Sequence, residues 1–140
     1  MKILLPVDGS PYTRRMLDYL EAHPELLGTG HEFVAFTVVP PIPGHAARFV
    51  DRAIVDDYYR THAEEVLQPV QEIATERGWN LRTAHGCGHP ADVIAAFAAS
   101  EKPDLIVMGT HGHSALGNVM LGSVVSGVLD RCTQPVLLLR

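Results

Sequence analysis

Apolar runs alternate along the chain with segments whose apolar residues recur at helical spacing. The runs lie at residues 3–7, 32–39, 105–108 and 136–139, and a shorter mixed segment lies at 81–84. A nearly continuous apolar run is typical of a strand covered on both faces, because a strand with one wet face shows alternation instead. The pattern therefore predicts five strands of a mostly buried sheet.

Between the strands, apolar spacing and punctuation by Pro and Gly predict helices. The first helix begins at Pro11, with Ser10 as its expected N-cap, and ends before Pro24. Further helices are predicted at about residues 49–77, 90–98 and 123–131.

Other prolines and glycines restrict the connections. Pro69 is expected to bend or divide the helix predicted at 49–77. Three prolines among residues 40–43 exclude a helix directly after the second strand. Residues 85–89, which contain two glycines, are expected to form a loop after the third strand.

Strands that alternate with helices predict an α/β fold, here a single doubly wound domain over residues 1–140 with a parallel sheet and helices on both faces. A length of 140 residues suits one hydrophobic core. Ligands of such sheets bind beyond the carboxyl ends of the strands, where the strand order reverses. The first and fourth strands lead into Asp8 and Gly109, so we expect a site between them.

A glycine-rich segment follows the fourth strand. Gly109 and Gly112 are separated by two residues, and nine residues later Gly122-Ser123 opens the last predicted helix. Glycine allows close approach to a ligand, and a helix N-terminus presents amide groups and a partial positive charge to an anion. The segment is therefore typical of a phosphate-binding loop.

Charge and composition narrow the classes of partner. The formal net charge is −5, with Lys and Arg scattered singly, whereas nucleic-acid and anionic-membrane binding need clustered cations. A free nucleotide remains compatible, because backbone amides hold a phosphate locally. The apolar runs are too short to span a membrane, and we expect a cytoplasmic protein in which Cys87 and Cys132 form no disulfide.

Taken together, several motifs resemble the universal stress protein family, specifically its nucleotide-binding branch. That branch carries Gly, two residues, Gly, nine residues, Gly, then Ser or Thr, which Gly109, Gly112, Gly122 and Ser123 match. The segments at residues 3–10, 88–94, 104–109 and 135–139 are also similar. The resemblance covers almost the whole chain except about residues 42–58.

The resemblance implies an adenine nucleotide, typically ATP with Mg²⁺, across the carboxyl edge of a five-stranded sheet of order 3-2-1-4-5. Asp8 would face the ribose and phosphates, while main chain near Val38 would meet the adenine. A separate hypothesis is that Asp8 helps to hold Mg²⁺. Gly109 would abut the ribose. The nucleotide-binding positions expected from the resemblance and the motifs are Pro6, Val7, Asp8, Val38, Met108, Gly109, His111, Gly112, His113, Gly122, Ser123, Val124 and Val125.

The resemblance also implies a homodimer paired through Val136–Leu139, and it includes two departures from the family pattern. The position after Gly112, often Lys or Arg in the family, is His113, so a fixed cation is missing there. Val125 replaces a common hydroxyl. Both changes are expected to weaken the grip on a triphosphate or to favour a less charged ligand.

The implied function is a cytosolic, nucleotide-sensing regulator of stress responses with slow or no ATP hydrolysis. The alternative is a nucleotide-free dimeric interaction module, in which Asp8 only caps a helix and the glycines only form turns. Ser123 would then be an N-cap residue. His111 and His113 are interpreted as solvent-facing loop residues rather than a metal pair, because no further ligands have convincing spacing.

Overall fold

The computed structural model describes residues 1–28, 30–113 and 121–140. Within those residues, the strands form one parallel sheet of order β3-β2-β1-β4-β5, which confirms the expected fold and strand order. The strands are β1 (Lys2–Pro6), β2 (Glu32–Val39), β3 (Asn80–Cys87), β4 (Leu105–Gly109) and β5 (Val136–Leu139).

Helices cover both faces of the sheet, as predicted. They are α1 (Pro11–Ala22), α2 (Pro24–Leu27), α3 (Gly44–Ala47), α4 (Arg52–Arg77), α5 (Pro90–Glu101) and α6 (Ser123–Arg131). Side chains of α1 and α4 form one buried cluster with the sheet, and those of α5 and α6 form a second on the opposite face. None of the helices described here is both long and apolar enough to cross a membrane.

The strand β1 lies at the centre of both clusters because its side chains alternate between the faces. Ile3 and Leu5 belong to the cluster with α1 and α4, whereas Leu4 belongs to the cluster with α5 and α6. All three are at most 1% exposed. This burial fixes the register of β1 and hence the position of the turn that follows it.

Several expected boundaries were wrong. Residues 85–87 continue β3 rather than forming a loop, because their backbone pairs with Thr37, Val38 and Val39 of β2. The short helices α2 and α3 were not predicted, although each begins beside a proline. Pro69 lies within α4, which runs through it as one helix.

Ser10 occupies the N-cap position of α1, as predicted, but its side chain makes no capping hydrogen bond. Its Oγ is buried without a partner among the described residues. Instead, the hydroxyl of Thr13 in the first turn of α1 donates to Asp8 Oδ1 and accepts the Asp8 N–H. The turn between β1 and α1 is therefore held by Asp8 and Thr13.

Candidate functional site

A cavity of about 530 Å³ opens beyond the carboxyl ends of β1, β2 and β4. β1 pairs with β2 on one side and β4 on the other, so the chain leaves the central strand at the point where the strand order reverses. This is the position at which ligands of open α/β sheets bind. The volume lies within the usual range for small-molecule sites.

Every position expected to contact a nucleotide lines this cavity. They are Pro6, Val7, Asp8, Val38, Met108, Gly109, His111, Gly112, His113, Gly122, Ser123, Val124 and Val125. The structure thus brings together residues from four separate stretches of the sequence. Residues 114–120, which make up most of the spacer in the glycine motif, lie outside the described residues.

Other lining residues were not predicted: Thr13, Phe36, Thr37, Val39, Pro40, His62, Glu65, Val66, Pro90 and Ile94. The residues at the end of β2 follow from the rule that parallel strands direct their carboxyl ends to one edge. The residues of α4 could not be predicted in this way, because helical spacing alone does not reveal which side of a long helix lines a cavity.

Asp8 has one carboxylate oxygen engaged in the β1–α1 turn and the other on the cavity. Oδ1 accepts hydrogen bonds from the Ser10 N–H at 2.9 Å and from the Thr13 hydroxyl at 3.0 Å. The Thr13 hydroxyl in turn accepts the Asp8 N–H at 3.2 Å. Oδ2 lies so close to Gly112 that a Cβ at that glycine would overlap it. The capping role and a ligand role are therefore carried by different oxygens.

We call the surface formed by Gly109, Gly112, Gly122 and the first turn of α6 the glycine wall. A Cβ on Gly109 would lie 2.7 Å from the Cβ of Tyr12, so this glycine allows α1 to approach the end of β4. The Gly122 N–H donates to the Thr110 carbonyl at 2.8 Å, and the Thr110 N–H donates to the Leu139 carbonyl at 2.9 Å. These bonds fix the loop to both α6 and β5.

The start of α6 differs from the expectation in one respect. Gly122, not Ser123, is the N-cap residue, and Ser123 is the first helical residue. No described side chain caps this helix start. The amides of its first turn therefore have no intrahelical acceptor, and residues 122–125 line the cavity. Val125 lines the cavity but is only 2% exposed and packs in the core with α5.

Both loop histidines line the cavity, and His113 is also exposed, as expected. His113 donates from Nε2 to the Asp8 carbonyl at 2.6 Å, which joins the loop after β4 to the turn after β1. His111 is half-buried, with its ring centroid 5.2 Å from that of Tyr12. In the part of the chain that the structure describes, no three His, Cys, Asp or Glu side chains are grouped to hold a metal ion.

The helix α4 contributes a surface made of side chains to the cavity. We call this surface, formed by His62, Glu65 and Val66, the α4 wall. A Cβ placed on Gly9 would lie 3.7 Å from Cγ2 of Val66, so α4 packs directly on the turn that carries Asp8. His62 donates from Nδ1 to the Tyr58 carbonyl at 2.9 Å, and its ring contacts the Tyr58 ring in a tilted arrangement with centroids 4.0 Å apart.

Tyr59 connects α4 to the proline segment after β2. Its hydroxyl accepts the Ile42 N–H at 2.9 Å. That hydrogen bond lowers the pKa of Tyr59, but the neighbouring Cys87 thiol and desolvation raise it, and the net direction is upward. The hydroxyl therefore stays neutral near pH 7 and holds the segment containing Pro40, which lines the cavity.

The charges of the cavity are acidic. Asp8 and Glu65 carry carboxylates, and among the described residues that line it there is no Lys or Arg. The sequence from Gly109 to Asp130 likewise contains no Lys or Arg. Positive electrostatic potential for an anion must therefore come from backbone amides, from histidine protonation or from a bound cation.

Comparison with known proteins gives one family. Residues 1–140 match the model of the Universal stress protein family. The chain is 33% identical over 145 residues to Universal stress protein MJ0531 of Methanocaldococcus jannaschii, covering 99% of this chain and 81% of that protein. It is 31% identical over 150 residues to Universal stress protein YxiE of Bacillus subtilis, covering 99% and 98%.

Solved structures share the fold. The structure of MJ0577, also from Methanocaldococcus jannaschii, has a TM-score of 0.78 at 26% identity and covers 99% of this chain and 94% of that one. A universal stress protein from Archaeoglobus fulgidus in complex with dAMP has a TM-score of 0.69 at 23% identity, covering 100% and 98%. An Arabidopsis thaliana family protein with AMP bound has a TM-score of 0.70 at 17% identity, covering 99% and 90%.

Proposed function

Because this chain belongs to the universal stress protein family, we propose that it binds an adenine nucleotide, ATP with Mg²⁺, and acts as a cytoplasmic regulator of stress responses. Residues 1–140 would form one nucleotide-binding domain. The observation that carries the proposal is the cavity at the strand-order reversal, lined by the glycine wall and by Asp8.

The glycine wall suits the phosphates. Amides of the first turn of α6 point toward the cavity, and a helix of 9 residues adds the positive end of its dipole. The free Oδ2 of Asp8 is a hard oxygen ligand, and Mg²⁺ is commonly held by one carboxylate together with phosphates and water. Mg²⁺ would neutralise phosphate charge, and Asp8 would hold it beside Gly112.

The apolar end of the cavity suits the base. Val38 and Val39 end β2, and Ile94 comes from α5. Aliphatic side chains with a few polar groups are typical of small-molecule sites. Two structures with the same fold contain adenine nucleotides, dAMP in one and AMP in the other, which supports the same ligand class here.

We expect hydrolysis of ATP to be slow or absent. Rapid phosphoryl transfer needs cationic groups that stabilise transition-state charge and a residue that positions water. The described lining residues include no Lys or Arg. A turnover of tens per second by purified protein would refute this expectation.

We also infer a homodimer paired through β5, because the two outer strands of the described sheet differ. β5 consists of Val136, Leu137, Leu138 and Leu139, of which the first three are only partly buried. β3, at the other edge, carries polar and mostly exposed residues. An apolar edge strand is a template for pairing. Size-exclusion chromatography with light scattering would reveal the dimer, and Leu138→Lys would reduce it.

A melting scan with and without Mg-ATP tests nucleotide binding. Ligand at a thousand times its dissociation constant would stabilise the folded state by about 4 kcal/mol. The control is Gly112→Val, which places a larger side chain against the Asp8 carboxylate and should abolish the shift. No shift with ATP, ADP or AMP would overturn the proposal.

The second candidate is the nucleotide-free dimeric module. It is favoured because close packing against Tyr12 and Asp8 explains the glycines at positions 109 and 112 without any ligand. Under this alternative, the wild-type protein would remain dimeric but would show no nucleotide-dependent change in melting temperature.

A further inference from the structure

The α4 wall brings an unpaired carboxylate to the cavity. Glu65 lines it, and among the described residues this side chain makes no hydrogen bond or ion pair. Asp8 is the other described carboxylate there, and its Oδ1 already accepts two hydrogen bonds. Glu65 is therefore an uncompensated negative charge at a site whose proposed ligand is an anion.

The position of Glu65 is fixed by its neighbours. Ala63 and Leu67 are 1% and 6% exposed and anchor α4 in the core. Val66 packs on Gly9, directly after Asp8. The helical period then places Glu65 on the flank of α4 beside the cavity. Glu64 and Glu65 are both exposed, but only Glu65 is among the described lining residues.

The local charge balance gives this carboxylate a consequence. No Lys or Arg among the described lining residues offsets Glu65. Glu65 is exposed, so water weakens its repulsion of an anion, but like charges at the same cavity still repel each other. The repulsion increases with the charge of the ligand, so it is greatest for ATP without metal and absent for adenosine.

We propose that Glu65 is a specificity-determining residue that selects nucleotides by net charge. It disfavours metal-free polyphosphate and leaves Mg-ATP and adenosine monophosphates as the accepted ligands. This inference rests on the proposed nucleotide site. Selection of this kind works by a repulsive element directed against the wrong ligand.

The experiment compares Glu65→Gln with the matched control Glu64→Gln. Both changes remove one negative charge from adjacent positions of the same helix, but only the first position lines the cavity. Calorimetric titrations would use adenosine, AMP, ATP with EDTA, and ATP with Mg²⁺, at low and physiological ionic strength. Melting temperatures of both variants would establish that they are folded.

We expect Glu65→Gln to tighten binding of metal-free ATP by about fivefold and of AMP by about twofold, because Glu65 is exposed and its charge is screened. Adenosine binding should stay the same, so the advantage that Mg²⁺ gives to ATP should shrink. Glu64→Gln should leave all four affinities close to wild type. Added salt should reduce the effect of Glu65→Gln, because salt screens partly exposed charges.

Two results would overturn the inference while leaving the nucleotide site in place. One is an equal change in Glu65→Gln and Glu64→Gln, which would indicate a general charge effect. The other is a loss of adenosine affinity in Glu65→Gln, which would make Glu65 a ribose or base ligand. If neither wild type nor variants bind any of the four ligands, the proposed function fails, and the inference fails with it.

Discussion

The glycine wall and the α4 wall face the same cavity but are built from different parts of the chain. The glycine wall consists largely of main chain, held by hydrogen bonds from Gly122 to Thr110 and from Thr110 to Leu139. The α4 wall consists of side chains, two of them exposed, carried by a helix of 26 residues. In the function proposed above, the first wall would fix where an anion is placed, and the second would determine which anion is accepted.

The difference teaches how one fold can keep a site and change its ligand. Substitution in the glycine wall alters backbone packing, since a Cβ at Gly109 or Gly112 meets α1 or Asp8. Substitution of His62 or Glu65 alters charge without disturbing a buried contact. Stability and specificity are therefore separable at this site.

The largest expected effect is on the glycine wall. Gly109→Ala places a Cβ 2.7 Å from the Cβ of Tyr12 and 3.3 Å from its main-chain carbonyl carbon, so α1 must move. We expect a loss of about 2–3 kcal/mol in the free energy of unfolding, measured by urea denaturation.

Gly44→Ala is the control for this change, because a Cβ on Gly44 meets nothing within 4 Å. It lies in α3, in the connection between β2 and α4, and should leave the free energy of unfolding close to wild type. If both variants lost the same stability, the two regions would not differ in how tightly they are packed.

Thr13→Val tests the turn between β1 and α1, which contacts both walls. It removes the hydroxyl that donates to Asp8 Oδ1 and accepts the Asp8 N–H, and Thr13 is only 8% exposed. We expect a loss of about 1–2 kcal/mol in the free energy of unfolding, because two part-buried hydrogen bonds to Asp8 are removed. ATP affinity should fall as well, since the Asp8 carboxylate loses its anchor.

Thr61→Val is the matched control, because Thr61 is exposed on α4 and makes no hydrogen bond among the described residues. Chemical denaturation and ATP titration of both variants provide the measurement. An unchanged stability in Thr13→Val would mean that Asp8 is held by other contacts.

His113→Lys adds a fixed cation to the glycine wall. His113 already reaches the Asp8 carbonyl, so a lysine there would lie beside the proposed phosphates. We expect ATP affinity to rise by about tenfold, because lysine adds a fixed positive charge that can make a charge-assisted contact with a phosphate. The matched variant is His85→Lys, which adds the same charge on β3 at an exposed position outside the described lining. Equal gains in both would indicate long-range attraction rather than a contact.

The smallest effect is expected at the hydrogen bond that joins Tyr59 of α4 to Ile42, within the proline-rich residues 40–43. Tyr59→Phe removes the acceptor of the Ile42 N–H and should lower the free energy of unfolding only slightly. Hydrogen exchange of the Ile42 amide should accelerate. In Tyr58→Phe the lost hydroxyl has no hydrogen-bond partner among the described residues, so the exchange rate should not change. Similar exchange in both variants would show that the segment is held by its prolines alone.

Much of the fold could be predicted from the sequence, because each buried strand has a short apolar run and each long helix has a clear start. The end of β3 could not. His85 and Cys87 are exposed, and only their backbone pairing with β2 makes them a strand. Backbone hydrogen bonding to a neighbouring strand leaves little trace in side-chain polarity.

The glycine wall was accessible from the sequence because the spacing of glycines reflects a local backbone path. The α4 wall was not accessible, since His62 and Glu65 are ordinary polar residues on a helix with many. Only the packing of Val66 on Gly9, between residues distant in sequence, reveals the flank that meets the cavity. The same limit applies to His113, whose bond to Asp8 spans 105 positions.

The hydrogen bonds of Thr110 have one more consequence. The Thr110 carbonyl accepts the Gly122 N–H just before α6. The Thr110 N–H donates to the Leu139 carbonyl in β5, an outer strand of the described sheet. Thr110 thus connects the start of α6, which lines the cavity, to the edge strand β5. A ligand that moves the start of α6 is therefore expected to move the end of β5 as well, because both are hydrogen-bonded to Thr110.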